Sequence, residues 1–171
     1  MQETGTRLIA GIIHDAGGEV IGSTRLQKIA YLLEIAGYSD GFRFGFRNCS
    51  PYSDEVAEAA TTAVLLGDLS EVEETAAWGG KYSVFRAELE SASNVPPGRR
   101  ELATAAAHAS AIELDLAATA VFLSLKDCPD PWGETKRRKP DLAKGRRLNK
   151  AKKLLEKLRS IEVPAPLPAI P

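Results

Sequence analysis

Along the N-terminal half of the chain the apolar positions change period repeatedly, and each change predicts an element. Leu8, Ile9, Ile12 and Ile13 fall on one face of a helix over residues 4–16, which Gly17 and Gly18 stop. In STRLQKIAYLLEIAGY, Leu26, Ile29, Ala30, Leu33 and Ala36 trace the buried stripe of a second helix. Thr24 and Gln27 stand in capping-box spacing at its start, and Gly37 supplies a stop. GFRFGFRN then alternates Phe42, Phe44 and Phe46 with Arg43, Gly45 and Arg47, the period of a half-buried strand. A third helix follows in SPYSDEVAEAATTAVLLGDL, capped by Ser50 or Ser53. Asp54 and Glu55 sit in its first turn, and Val56, Ala60, Ala63, Val64 and Leu66 point inward. Residues 71–89 read as a hairpin that turns at AWGGK, with Phe85, Ala87 and Leu89 on one face.

A break at Asn94-Val-Pro-Pro-Gly98 changes the pattern. From Arg100 to Lys126 the stripe Leu102, Ala105, Ala109, Ile112, Leu116, Thr119 or Ala120, and Leu123 reads as one long helix. DCPDPWGETK, with two prolines, reads as a loop. In the helix beyond it, Leu148, Ala151, Leu155 and Leu158 lie on one side, joined by Leu154 and Ile161. Arg146, Lys150, Lys153 and Lys157 lie opposite, at i, i+4, i+7 and i+11. VPAPLPAIP ends the chain and is expected to be extended and mobile. Helix, helix, strand, helix and a two-stranded wing is the order of a winged helix. The expected class is therefore mostly α (α+β). A winged-helix-like part over residues 1–93 packs on a helical pair over 94–162, and residues 163–171 form a flexible tail.

Composition narrows this little: 171 residues, 44% hydrophobic and 26% charged, are ordinary for a soluble domain. No apolar run approaches a bilayer span, and the N-terminus lacks the basic start of a signal peptide. Cys49 and Cys128 stand alone and are expected to be reduced, in a cytoplasmic protein. Charge changes the picture more. Residues 134–159 carry twelve basic residues against three acidic ones, a net of +9, while the whole chain is −1 and the remainder is −10. The simplest use of that segment is to neutralise the acidic body of its own chain or of a second copy.

Candidate chemistry is sparse. His14 ends a helix and His108 sits among alanines, and neither has a metal-ligand neighbour pattern. Glu113 and Asp115 point to different faces of their helix, against a paired-carboxylate site. No phosphate-loop or nucleophile-elbow motif is present. From Asn48 to Gly80 there is no Lys or Arg, while Asp54, Glu55, Glu58, Asp68, Glu71, Glu73 and Glu74 are acidic. A third helix of that sign opposes the usual major-groove mode. The basic C-terminal helix is the better nucleic-acid candidate, although Trp132 is its nearest aromatic for base stacking.

Three stretches carry a resemblance. TRLQKIAYLLEIAGY is similar to the LQKLxYLL…GY helix of small prokaryotic YwgA-like proteins, themselves distantly similar to the Panacea domain of SocA-type antitoxins. FRNCSPYSDEV resembles their YGPYS junction but lacks the glycine. IELDLAATAVFL followed by ETKRRKP resembles their LELxATxxYL … KP half, so the similarity spans roughly residues 5–155. The resemblance implies a winged-helix-like part, a helical part and a regulatory or antitoxin-like role, with no catalytic residues.

The expectation is a non-enzymatic interaction module without cofactor or metal, binding a protein partner or a second copy as a homodimer, and no membrane. Its acidic face would be Asp54, Glu55 and Glu58. Its basic face would be Arg146, Lys150, Lys153 and Lys157 with Lys136, Arg137 and Arg138. The alternative is a DNA- or RNA-binding regulator that uses the basic helix and the wing residues Lys81 and Arg86.

Overall fold

The computed structural model describes residues 5–38, 40–87 and 95–171. Among them are seven helices and five strands, an α+β arrangement. Helix α1 (Gly5–Asp15) leads through strand β1 (Glu19–Ile21) into α2 (Ser23–Ile35). Strands β2 (Gly45–Arg47) and β3 (Ser50–Tyr52) form a hairpin before α3 (Asp54–Leu66). The wing is β4 (Ser70–Thr75) and β5 (Lys81–Arg86). Helices α4 (Arg99–His108), α5 (Ala111–Leu125), α6 (Pro131–Arg138) and α7 (Arg147–Arg159) complete the chain. The larger sheet is antiparallel with order β1-β5-β4, and β2-β3 is separate. None of the described helices is long and apolar enough to cross a membrane.

Several elements follow the apolar periods directly. Ile9, Ile12 and Ile13 of α1 are fully buried, as are Leu32 and Leu33 of α2. Ser53, not Ser50, caps α3: its Oγ accepts from Val56 N–H at 3.2 Å. Gly67 closes that helix in the left-handed conformation, φ 84°. Phe42, Phe44 and Phe46 alternate inward against exposed Arg43, Gly45 and Arg47, although only Gly45–Arg47 pair as strand.

Other expectations need correction. The capping box at Thr24 and Gln27 does not form: Gly22 precedes α2 without a side-chain cap, and the Gln27 amide is engaged elsewhere. The long helix over 100–126 is two helices. Ala109 adopts extended backbone, φ −72° and ψ 157°, and Ser110 caps α5 at Glu113 N–H. Alanine repeats hide such a joint, because the apolar stripe runs through it unbroken. The loop over 127–136 holds the start of α6, with Asp130 as N-cap and Pro131 at its first position. Leu66, expected inward, is 67% exposed beside Leu65 at 81%. Strand β1 is three residues long, too short for a period to register. Leu89, expected on the hairpin face, lies outside the described residues.

One apolar cluster runs from Ile9 of α1 through Leu102, Leu116, Leu155 and Leu158 to Leu167, so the residues on either side of position 94 share a core. Leu116 and Leu155 are both buried where α5 meets α7. The proline-rich end is extended, but it is packed. Leu167 is 2% exposed, Ala165 N–H donates to the Ala36 carbonyl at 2.9 Å, and Arg159 Nε donates to the Leu167 carbonyl at 3.0 Å. Gly98, φ 85°, lies so close to this end that a Cβ there would stand 2.0 Å from the Glu162 carbonyl oxygen.

Candidate functional site

Helix α5 is apolar on every side over Leu114–Val121 except for two residues, Asp115 and Thr119. An ionised carboxylate in such a helix must find a cation, and Asp115 finds two. Its Oδ2 accepts from Lys139 Nζ at 2.6 Å. Its Oδ1 accepts from Ser50 Oγ at 2.7 Å and stands 3.4 Å from Lys28 Nζ. Lys139 also donates to Ser50 Oγ and, at 3.0 Å, to Thr119 Oγ1. Lys28 donates to the Pro51 carbonyl at 2.8 Å. All three charged side chains are less than a tenth exposed. Beside them, the Gln27 amide both donates to the Ser53 carbonyl and accepts from Ser53 N–H, each at 2.9 Å.

The network joins α2, β3, α5 and the residue that ends α6. Two ammoniums face one carboxylate, so it holds one excess buried positive charge. Burial pushes the Lys28 amine below its ordinary value; Asp115 works against that shift and Lys139 adds to it. No buried side-chain nitrogen or oxygen among the described residues lacks a hydrogen-bond partner. Such a network fixes the geometry of the four elements it joins. A second clasp does the same at the other end: Arg99 bonds Asp15 at 2.7 Å and Asp40 at 3.1 Å, drawing α1 and the segment after α2 onto α4.

The sequence reading missed these residues. The available signals were a lysine, Lys28, inside an otherwise buried helix face, and a lone Asp115 in an apolar helix. Reading Asp115 only against Glu113 looked for a second carboxylate where cations were the answer.

The basic face is present where the leucine stripe predicts it. Ala151, Leu155 and Leu158 are buried, while Arg146, Lys150, Lys153 and Lys157 are exposed. Among the described residues none of these four has an ion-pair partner. Any neutralisation of these four by the acidic body acts through its field rather than by contact. Apart from Lys139, which Asp115 holds, the positive charges that pair within the segment pair locally. Arg137 and Arg138 hold Glu134, whose carboxyl their hydrogen bonds keep down at about 2, and Lys144 pairs with Asp141 at 3.2 Å. Lys136 is exposed at the end of α6, and Lys152 lies over the buried Trp132 ring at 5.9 Å.

The acidic face is weaker than its composition suggests. Asp54 pairs with Arg47 at 3.1 Å and Glu55 with Arg43 at 3.9 Å, both across from the β2-β3 hairpin; Glu58 is exposed. Such exposed pairs contribute little stability, but they cancel local field. On the wing Lys81 pairs with Glu73 at 3.2 Å and Arg86 with Glu19 at 2.8 Å, all four side chains exposed. A cleft of about 310 Å³ between α2, α3 and the wing is lined by Thr24, Gln27, Thr61, Glu71 and Ser83. Its most specific polar groups are already spent, Gln27 on Ser53 and Ser83 on Glu71 at 2.6 Å. Cys49 and Cys128 are free thiols, and no group of His, Cys, Asp and Glu among the described residues is placed to hold a metal ion. Comparison of the chain with protein-family models, with curated proteins and with solved structures finds no match.

Proposed function

We propose that this chain is a non-enzymatic regulatory module, antitoxin-like or adaptor in kind, that docks an acidic protein surface on the exposed face of α7. The observation that carries the reading is the division of that helix. Ala151, Leu155 and Leu158 are buried where it meets α5 and α4, while Arg146, Lys150, Lys153 and Lys157 reach solvent with no partner among the described residues. A rigid helix with one unpaired cationic stripe is prepared for an anionic surface without prior rearrangement. The connectivity α1–β1–α2–α3–β4–β5 with sheet order β1-β5-β4 supports a winged-helix-like N-terminal part, with the β2-β3 hairpin inserted before α3.

Protein is favoured over nucleic acid for two reasons. The exposed side of α3 is acidic or locally neutralised, and the wing tip offers Trp78, 83% exposed, where a phosphate binder would offer Lys or Arg. Exposed Leu65, Leu66 and Trp78 suit a protein contact and repel a hydrated backbone. The nucleic-acid reading keeps one observation in its favour, the same unpaired stripe. A photo-cross-linker at exposed Asn149, which leaves all four cations in place, decides between them in cells. The expected adduct is of one discrete mass, resists nuclease and is lost when the four cations become Gln. A nuclease-sensitive adduct overturns the reading.

A further inference from the structure

Beyond α7 the chain runs on as an extended segment whose burial alternates. Val163, Ala165 and Leu167 face inward, while Glu162, Pro164 and Pro166 are exposed. Each inward residue precedes a proline, which biases it toward extended backbone. Pro164, Pro166 and Pro168 have no N–H to leave unpaired, so the segment lies on the surface with few donors to satisfy. The body meets it with fitted groups. The Ala36 carbonyl accepts from Ala165 N–H at 2.9 Å. Beside it Gly37, φ 95°, lets the segment close in: a Cβ there would stand 3.0 Å from Pro164 Cβ and 3.2 Å from Ala165 N. Gly98 makes the same room for the Glu162 carbonyl. Arg159 Nε donates to the Leu167 carbonyl at 3.0 Å. The buried Trp132 ring turns its Nε1–H to the Ile170 carbonyl at 3.4 Å. Leu167 is the anchor, at 2% exposure.

Lifting this segment away breaks no helix and no strand, yet it strips a buried indole of its acceptor and empties a leucine site. The surface beneath it is a built groove with a removable occupant. We propose that this groove receives extended proline-rich segments of partner proteins, and that residues 163–171 are its tethered competitor. The occupant seated there states the chemistry of the ligand. Apolar residues stand at alternate positions with prolines between them, and a leucine follows the first apolar residue by four positions. Such segments bind at low entropic cost, because proline has already removed much of their freedom. The tethered segment holds the groove at an effective concentration of about 1 mM, which a partner must outbid. This groove is not the basic stripe of α7, and the inference does not rest on the docking assigned to that stripe.

The probe is a labelled peptide of sequence EVPAPLPAIP, titrated into the full chain by fluorescence anisotropy. The wild type should bind it weakly. The full-length Leu167→Ala chain should bind it at least about tenfold more tightly, because its own segment competes less. A peptide with alanine for its leucine should bind that variant at least about tenfold more weakly. Gly37→Val combined with Leu167→Ala should lose binding, and the Gln variant of the four α7 cations should match the wild type. Should Leu167→Ala fail to fold, the folded wild type cut at a protease site engineered before Val163 is the receptor, and its freed segment should exchange with the labelled peptide. Absence of saturable binding by the receptor up to about 1 mM peptide overturns the proposal, as does binding indifferent to the leucine. A dimer held by segments exchanged between copies also overturns it, because the groove would then belong to a second copy.

Discussion

Lys139 Nζ lies 2.6 Å from Asp115 Oδ2, and this contact ties the residue that ends α6 to the most apolar helix of the chain. Lys28 stands on the other carboxylate oxygen, so a single aspartate holds the N-terminal and C-terminal halves in register. It also fixes where the chain leaves α6 for α7, because Pro140 and the turns leading to α7 follow Lys139 directly.

Removing the shared counter-charge should therefore be severe. Asp115→Asn leaves two buried ammoniums facing each other, and the expected loss is about 3–5 kcal/mol of unfolding free energy by denaturant titration. Lys28→Met leaves a one-to-one pair of Lys139 with Asp115 and relieves the excess charge, so its loss should stay below about 1.5 kcal/mol. Equal losses in the two variants would mean that the network is not organised around Asp115.

The same lysine predicts a pH dependence. Burial lowers the folded value of Lys28 below its ordinary 10.5, so the folded chain releases this proton at lower pH than the unfolded chain. Between those two values the unfolded state binds more protons, and stability contributed by this group rises with pH; below both, it is flat. Stability measured against pH on the alkaline side should rise more, or fall less, in the wild type than in Lys28→Met. Identical slopes would place Lys28 in water.

How much of this was legible follows from what each feature needs. Periodicity is local, so α1, α2, α3, the wing hairpin and the two faces of α7 could be read from spacing alone. The joint at Ala109 and Ser110 interrupts an alanine-rich stripe without changing its composition, and nothing local marks it. Asp115, Lys28 and Lys139 are separated by up to 111 positions, and only the assembled core makes them neighbours. Serine before a helix is commonly its cap, and Ser50 stands in such a place. Its hydroxyl instead donates to Asp115, and the cap falls to Ser53.

The proline-rich end gives a third prediction. Its composition suggests a dispensable tail, yet Leu167 is buried and the backbone on either side is hydrogen-bonded to Ala36 and, through Ile170, to Trp132. Leu167→Ala should destabilise by about 2–5 kcal/mol, the range for a buried leucine. A melting temperature unchanged by deleting residues 163–171 would show that the end contributes nothing.

The β2-β3 turn gives a fourth. Asn48 and Cys49 both hold positive φ, 51° and 61°, the conformation in which Asn-Gly is favoured. Cys49→Gly should stabilise the chain by about 1 kcal/mol, because the strain falls on a side chain and Thr119 contacts only the Cys49 carbonyl, at 3.5 Å. A destabilised variant would mean that the Cys49 side chain packs more usefully than its exposure suggests.

The central claim is that the unpaired cationic stripe of α7 meets protein. Fluorescence anisotropy with labelled duplex DNA at physiological salt tests it most directly, using the wild type and the variant with Arg146, Lys150, Lys153 and Lys157 changed to Gln. The account predicts duplex binding no tighter than about 10 μM, within the non-specific range, and an unchanged melting temperature in the variant. Sub-micromolar duplex binding that weakens steeply with salt and is lost in the variant would contradict it.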